Sequence, residues 1–179
     1  MGFDKATIQF EGETLLQRTL ARLDTVCDPV MVAPGDLALA PTGRVLVPDA
    51  EPASGPLGGL VAALRASPHR LLAVVAVDLP WVDPRLLSVL ADAIGDHDVA
   101  VCETDRGIEP LHAVYATSLL EAAEIALRSE DRSIRHLIAR SDALYLSEIA
   151  WREAGISDAF TRNVNTPRDL EQISQEPAR

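Results

Sequence analysis

Asp78 ends the apolar run Leu71-Leu72-Ala73-Val74-Val75-Ala76-Val77, and Leu79-Pro80 stops the chain directly behind it. In open α/β sheets ligands gather at the carboxyl ends of strands, where this pattern places the carboxylate. A lone carboxylate among apolar strand residues is costly to bury, so it should face a cation or a cleft. Mg²⁺ suits such a place, because it takes one or two carboxylates together with substrate phosphates. A cap on the Trp81–Pro84 turn would use the same carboxylate, and on spacing alone the two readings stand level. Lys5 follows Asp4 in a turn ahead of the alternating stretch 6–10. Its ammonium could neutralise a phosphate as a point charge, although a single lysine is ordinarily a solvated surface group. Asn163 and Asn165 stand just before Thr166-Pro167, where side-chain carbonyls can hold metal or water and amides can donate to hydroxyls. By itself that stretch also reads as a capped turn. The segment Ser54-Gly55-Pro56-Leu57-Gly58-Gly59 offers backbone N–H groups at a helix start, suited to an anion or a ribose, and equally suits close helix packing.

No rival constellation stands out. His69 beside Pro68, His97 in a polar turn and His136 on an amphipathic stretch read as solvated or packed, and His112 as a cleft-wall residue. There is no Gly-x-Ser-x-Gly turn for a serine nucleophile and no Gly-Lys-Ser/Thr phosphate loop. Trp81 and Trp151 read as packing residues before cleft-rim residues.

The elements that must position these groups alternate between short apolar runs and helical periodicity, the pattern of an α/β fold. Helices are predicted over 13–25, 55–67, 84–94, 118–128, 133–140 and 166–173. The third has Asp83 as N-cap and Pro84 at its first position. Strands are predicted over 29–33, 44–47, 71–77, 98–102, 108–115 and 143–146. The first two are expected in a buried sheet, and 71–77, apolar on both faces, as a central parallel strand. The tail 174–179 is expected to fray. At 179 residues, 47% hydrophobic and 24% charged, the chain fits a single domain, 1–179, with a sizeable core. A formal net charge of -11 disfavours nucleic acid and anionic membrane as partners. Cys27 and Cys102 lack metal-ligand spacing and read as reduced thiols. With no signal peptide and no apolar run of ~18 residues, the expectation is a soluble cytoplasmic protein.

The pieces Met1-Gly2-Phe3-Asp4-Lys5, Pro48-Asp49 ahead of Gly55–Leu60, Val77-Asp78-Leu79-Pro80, Glu109–Tyr115 and Asn163–Leu170 follow one another over nearly the whole chain. Each is unspecific alone, but Asp78-Leu79-Pro80 with Asn163-Val164-Asn165-Thr166-Pro167 downstream is a specific combination. In that combination and order the chain resembles the molybdenum cofactor guanylyltransferases. The resemblance implies a Rossmann-like three-layer α/β/α nucleotidyltransferase fold with a mostly parallel central sheet. It implies transfer of GMP from GTP to a molybdopterin-type molybdenum cofactor, with release of pyrophosphate and with Mg²⁺ bridging phosphate oxygens. By the same resemblance Asp78 binds the metal, Lys5 contacts nucleotide phosphates and Asp49 lies on the nucleotide side of the cleft. Gly55, Pro56, Leu57 and Gly59 form the loop and helix start beneath the nucleotide. Asn163 and Asn165 lie near the active centre, with Asn165 supporting the metal. Molybdoenzymes or other cofactor-biosynthesis proteins are the expected macromolecular partners. In that family a strand and a Leu-Ala-Gly-Gly loop usually precede the Met-Gly-x-Asp-Lys stretch, so the first strand is expected to be missing here and the natural start to lie upstream. Two alternatives accompany this reading: a related enzyme using CTP or another phosphorylated acceptor, and an inactive relative that binds the cofactor or a partner.

Overall fold

The computed structural model describes residues 5–34, 43–51, 54–164 and 169. Gly2, Asp4, Asn165, the expected helix 166–173 apart from Asp169, and the tail 174–179 lie outside these residues.

The helices form where the apolar spacing places them. Helix α1 (Leu15–Leu23) opens on Thr14, whose Oγ1 accepts from the Gln17 N–H while the Gln17 Oε1 accepts from the Thr14 N–H. That reciprocal pair satisfies two donors that a helix start would otherwise leave orphaned. Helix α2 is Gly55–Ala66, and α3 (Pro84–Ala93) begins as expected, with the Asp83 Oδ1 accepting from the Arg85 N–H at 2.9 Å. Helices α4 (Leu120–Arg128), α5 (Ile134–Ala139) and α6 (Glu148–Glu153) follow. The sequence reading did not contain α6; its six residues bury only Trp151, too short a repeat to register as a periodic face.

Strands β1 (Gln9–Phe10) and β2 (Glu13–Thr14) make a tight hairpin, and β3 (Met31–Val32) pairs with β4 (Val45–Leu46) in parallel. The main sheet contains β5 (Leu71–Val75), β6 (Val99–Thr104), β7 (Gly107–Ile108), β8 (His112–Ala116) and β9 (Ala143–Leu146). Its pairing is mixed: β6 and β9 are parallel, while β8 lies antiparallel between β5 and β6. The cause is local, because β6 turns straight back through β7 and β8. Glu103 faces Ile108 and Ala100 faces Val114, so five residues on the return strand oppose two on β6. The surplus is taken up by a detour at 109–111.

Side chains alternate across the sheet. Leu72, Val74, Val99, Val101, Ala113 and Tyr115 pack under α2, α4 and α5, while Leu71, Ala73, Ala100, Cys102 and Val114 pack against α3 and α6. The result is the three-layer α/β/α arrangement.

Two expectations change. Strands β3 and β4 do not lie in a buried sheet: among the described residues they pair only with each other, and Val45 and Leu46 are 61% and 44% exposed. Strand β5 is half-buried at every residue instead of fully covered, because β8 is its sole described strand partner. Between β3 and β5 lies a cavity of about 850 Å³.

Candidate active site

Two of the predicted carboxylates stand just past the carboxyl ends of strands. Asp78 stands three residues past β5, and Asp49 three residues past β4. The Asp78 carboxylate does not cap the turn that follows, whose cap is Asp83. Its Oδ2 instead accepts from Lys5 Nζ at 2.6 Å, with the two side chains 17% and 36% exposed. A carboxylate at this strand end needed a cation, and the lysine supplies it across 73 residues of sequence. Two residues assigned separately, one toward metal and one toward phosphate, thus form a single ion pair.

The loop 76–83 that carries Asp78 is held from several sides. The detour at 109–111 brings the Leu111 carbonyl to the Ala76 N–H at 2.9 Å. The Val164 N–H donates to the Asp78 carbonyl at 2.8 Å, which brings the exposed Asn163 beside the loop. From α1, Arg18 Nε donates to the Pro80 carbonyl at 3.0 Å and Arg22 Nη1 to the Val82 carbonyl at 2.6 Å. Arg18 is itself fixed over the Phe10 ring and by Glu11 and Glu13. Sequence reasoning missed both arginines. Their i, i+4 spacing was the available signal, since it puts both on one face of the helix.

His112 lies in the core near Asp83. It is fully buried, its ring meets the Phe160 ring edge-on at 5.2 Å, and neither ring nitrogen has a hydrogen-bond partner among the described residues. Burial pushes its pKa down to about 4, with the Asp83 backbone and charge opposing, so the imidazole is neutral at pH 7. The cleft-wall expectation therefore sharpens into a packed residue beneath the Asp83 turn. Trp151 is likewise a core residue, 1% exposed, with its indole N–H donating to the Glu103 carbonyl at 3.1 Å. Trp81 packs edge-on against Phe10 at 5.5 Å. Burial also raises the Cys102 thiol to about 12, which leaves it inert.

Across the cleft, Asp49 lies against the first turns of α2. A Cβ on Gly59 would come within 3.4 Å of Asp49 Oδ1, and one on Gly58 within 1.6 Å of Ser54 Oγ. Gly58 was absent from the predicted set, yet it is the glycine this turn cannot lose. Gly55 matters for its backbone, with φ +63°. Asp49, Gly55, Pro56 and Gly59 face the cavity between β3 and β5. Leu57 does not: its side chain is fully buried in the core under α2, so any contact it makes with a ligand would have to come from its backbone. Asn165 lies outside the described residues.

Among the described residues no three His, Cys, Asp or Glu side chains form a metal cage. The donor set is one carboxylate whose second oxygen, Oδ1, accepts no hydrogen bond from the described residues. That fits a hard cation completed by substrate oxygens better than a closed protein site. No described helix is long and apolar enough to cross a membrane.

Comparison with known proteins bears on the family and the fold. A family model described as the MobA-like NTP transferase domain matches residues 1–144. A protein of Natronomonas pharaonis named probable molybdenum cofactor guanylyltransferase is 33% identical over 96% of this chain and 89% of its own length. The molybdenum cofactor guanylyltransferase of Desulfosudis oleivorans is 30% identical over 96% of this chain and 86% of its own. Among solved structures, molybdopterin-guanine dinucleotide biosynthesis protein A from Archaeoglobus fulgidus superposes with a TM-score of 0.84 at 24% identity, covering 97% of this chain and 90% of that one.

Proposed function

The chain belongs to the family of MobA-like NTP transferase domains, and from that premise we propose that it transfers GMP from GTP to the terminal phosphate of a molybdopterin-type molybdenum cofactor in the cytoplasm. A P–O bond forms between the cofactor phosphate and the α-phosphorus, the α–β bond breaks, and pyrophosphate leaves. No protein nucleophile is needed, so the protein's work is positioning and charge neutralisation.

The carrying observation is the Lys5–Asp78 pair at the carboxyl end of β5, held on a loop pinned by Leu111, Val164, Arg18 and Arg22. Asp78 would hold Mg²⁺ through its open oxygen, and Asn163 stands close enough along the chain to assist. Bound there, the metal would supply charge stabilisation on the phosphate oxygens. Lys5 shares its ammonium between Asp78 and an incoming phosphate, so it keeps the carboxylate oriented before substrate arrives. Asp49 and the backbone of Gly55 and Gly59 form the opposite wall, on the nucleotide side.

Asp78→Asn tests the reading. It keeps the shape of the side chain and should leave the fold intact while cutting Mg²⁺-dependent transfer by at least ~10²-fold. Near-normal transfer would remove Asp78 from the metal site. Calorimetric competition between GTP and CTP checks the base, and a preference for CTP would overturn the guanylyl assignment.

A further inference from the structure

Lys5 reaches Asp78 from the short 3₁₀ turn Lys5–Thr7, which lies outside the main sheet. Behind the pair is a small core of its own. Ile8, Phe10, Leu15 and Val164 are buried together, with Val77 and Trp81 packed against them, and none of these belongs to the clusters on either face of the main sheet. So small a core holds its parts less firmly than a large one, and the placement of the ammonium against the carboxylate needs a further tie.

Arg18 of α1 supplies it. Its side chain is only 14% exposed, and different parts of its guanidinium serve different elements. Nε donates to the Pro80 carbonyl at 3.0 Å, two residues past Asp78, while Nη1 meets Glu13 Oε1 at 3.0 Å and Glu11 Oε2 at 2.9 Å on the β1–β2 hairpin. The guanidinium also lies over the Phe10 ring, 4.8 Å from its centre, and Phe10 in turn packs edge-on against Trp81 of the loop. From the hairpin the chain of contacts leads to Lys5: the Leu15 N–H donates to the Ile8 carbonyl at 2.9 Å and the Ile8 N–H to the Lys5 carbonyl at 3.3 Å. One side chain thus joins the segment that carries the ammonium to the loop that carries the carboxylate, without entering the pair. Glu11 adds an independent observation. It has φ +52° and Gly12 φ +89°, the two central residues of the turn between β1 and β2. A two-residue turn with both φ positive favours Asn or Gly, so a glutamate there is strained. Such strain persists where the surroundings over-determine it, and here the strained residue delivers its carboxylate to Arg18.

We propose that Arg18 is a positioning residue: it sets the distance and orientation of Lys5 against Asp78, and so the place where phosphate and cation meet. It acts through those two side chains and not on the substrate. A lysine at 18 would keep the charge for Glu11 and Glu13 but lose the planar fork that also reaches the Pro80 carbonyl. The consequence for turnover rests on the transfer reaction proposed for this chain; the consequence for the loop does not.

The test uses Arg18→Lys and Arg18→Ala, with Leu127→Ala in the main core as a control for lost stability alone. Arg18→Lys should lower kcat for GMP transfer by at least ~10-fold with the KM for GTP changed less than ~2-fold, while Leu127→Ala keeps the parent kcat. In Arg18→Ala, millimolar ethylguanidinium should restore turnover and ethylammonium should not. A parent-like kcat in Arg18→Lys, or equal rescue by the two cations, would overturn the proposal. Amide exchange gives a readout free of activity. The Val164 N–H is bonded to the Asp78 carbonyl, and Arg18→Lys should speed its exchange by at least ~10-fold while Val114, in the middle of β8, keeps its rate. An unchanged Val164 rate overturns the proposal whether or not Arg18→Ala folds. Should the parent chain transfer no GMP, the transfer reading falls, and the Val164 rate still decides the role of Arg18.

Discussion

Strands β5 and β6 are written in nearly the same apolar alphabet, yet Val99 to Cys102 of β6 are fully buried while every residue of β5 is only half-covered. The difference lies in their neighbours. β6 has β8 on one side and β9 on the other, whereas among the described residues β5 has β8 alone and the cavity beyond. Hydrophobic composition gives a strand its tendency to be buried, but the pairing on both edges decides whether it is.

Stability measurements in urea can break or sharpen that contrast. The largest effect is expected in the block around β6. Trp151→Ala removes a buried indole together with its hydrogen bond and should cost about 3–5 kcal/mol. Leu72→Ala in β5 should cost less than half as much, and an equal cost would mean that the gap at β5 is closed in solution. Next comes pH. The His112 pKa is depressed from 6.5 to about 4 on folding, so below pH 6.5 the unfolded chain takes up a proton that the folded one refuses. Stability is therefore full above pH 6.5 and falls toward pH 4, a change worth about 3 kcal/mol. His112→Phe should flatten that part of the profile; an unchanged slope would place the titration elsewhere. At the boundary between the two regions, Gly58→Ala drives a Cβ into Ser54 and should cost about 1–3 kcal/mol. Adding Ser54→Gly should recover most of that loss. The smallest effect belongs to the outer edge of β4, where Val45→Thr should shift stability by less than ~0.5 kcal/mol, because Val45 is 61% exposed.

The same contrast explains what could be read from sequence. Period and punctuation were sufficient for α3, where Asp83 and Pro84 carry the start signal within the segment itself. They were sufficient too for the position of Asp78, since a strand end followed by Leu-Pro is a local fact. The ion pair with Lys5 was not legible, because its partners are 73 residues apart and each has an ordinary local role. Nor was the role of Glu109-Pro110-Leu111, which depends on β6 folding back and leaving three surplus residues beside Ala76. Leu57 stands at the helix start as expected, but that its side chain belongs to the core was not legible from the glycine-rich motif around it. Gly58 was passed over because its constraint comes from the Ser54 hydroxyl one helical turn earlier, and a glycine's need is set by what its missing Cβ would strike.

Asp78 is held by Lys5 on its side chain and by Val164 on its backbone, so two segments far apart in sequence are fastened to a single residue. Those two fastenings act as a clasp on a loop of polypeptide. Tension applied between residues 5 and 164 would load the clasp before it reached the main sheet. In a single-molecule pulling experiment the loop 76–83 should therefore yield first, at low force, while β5, β8, β6 and β9 still hold together.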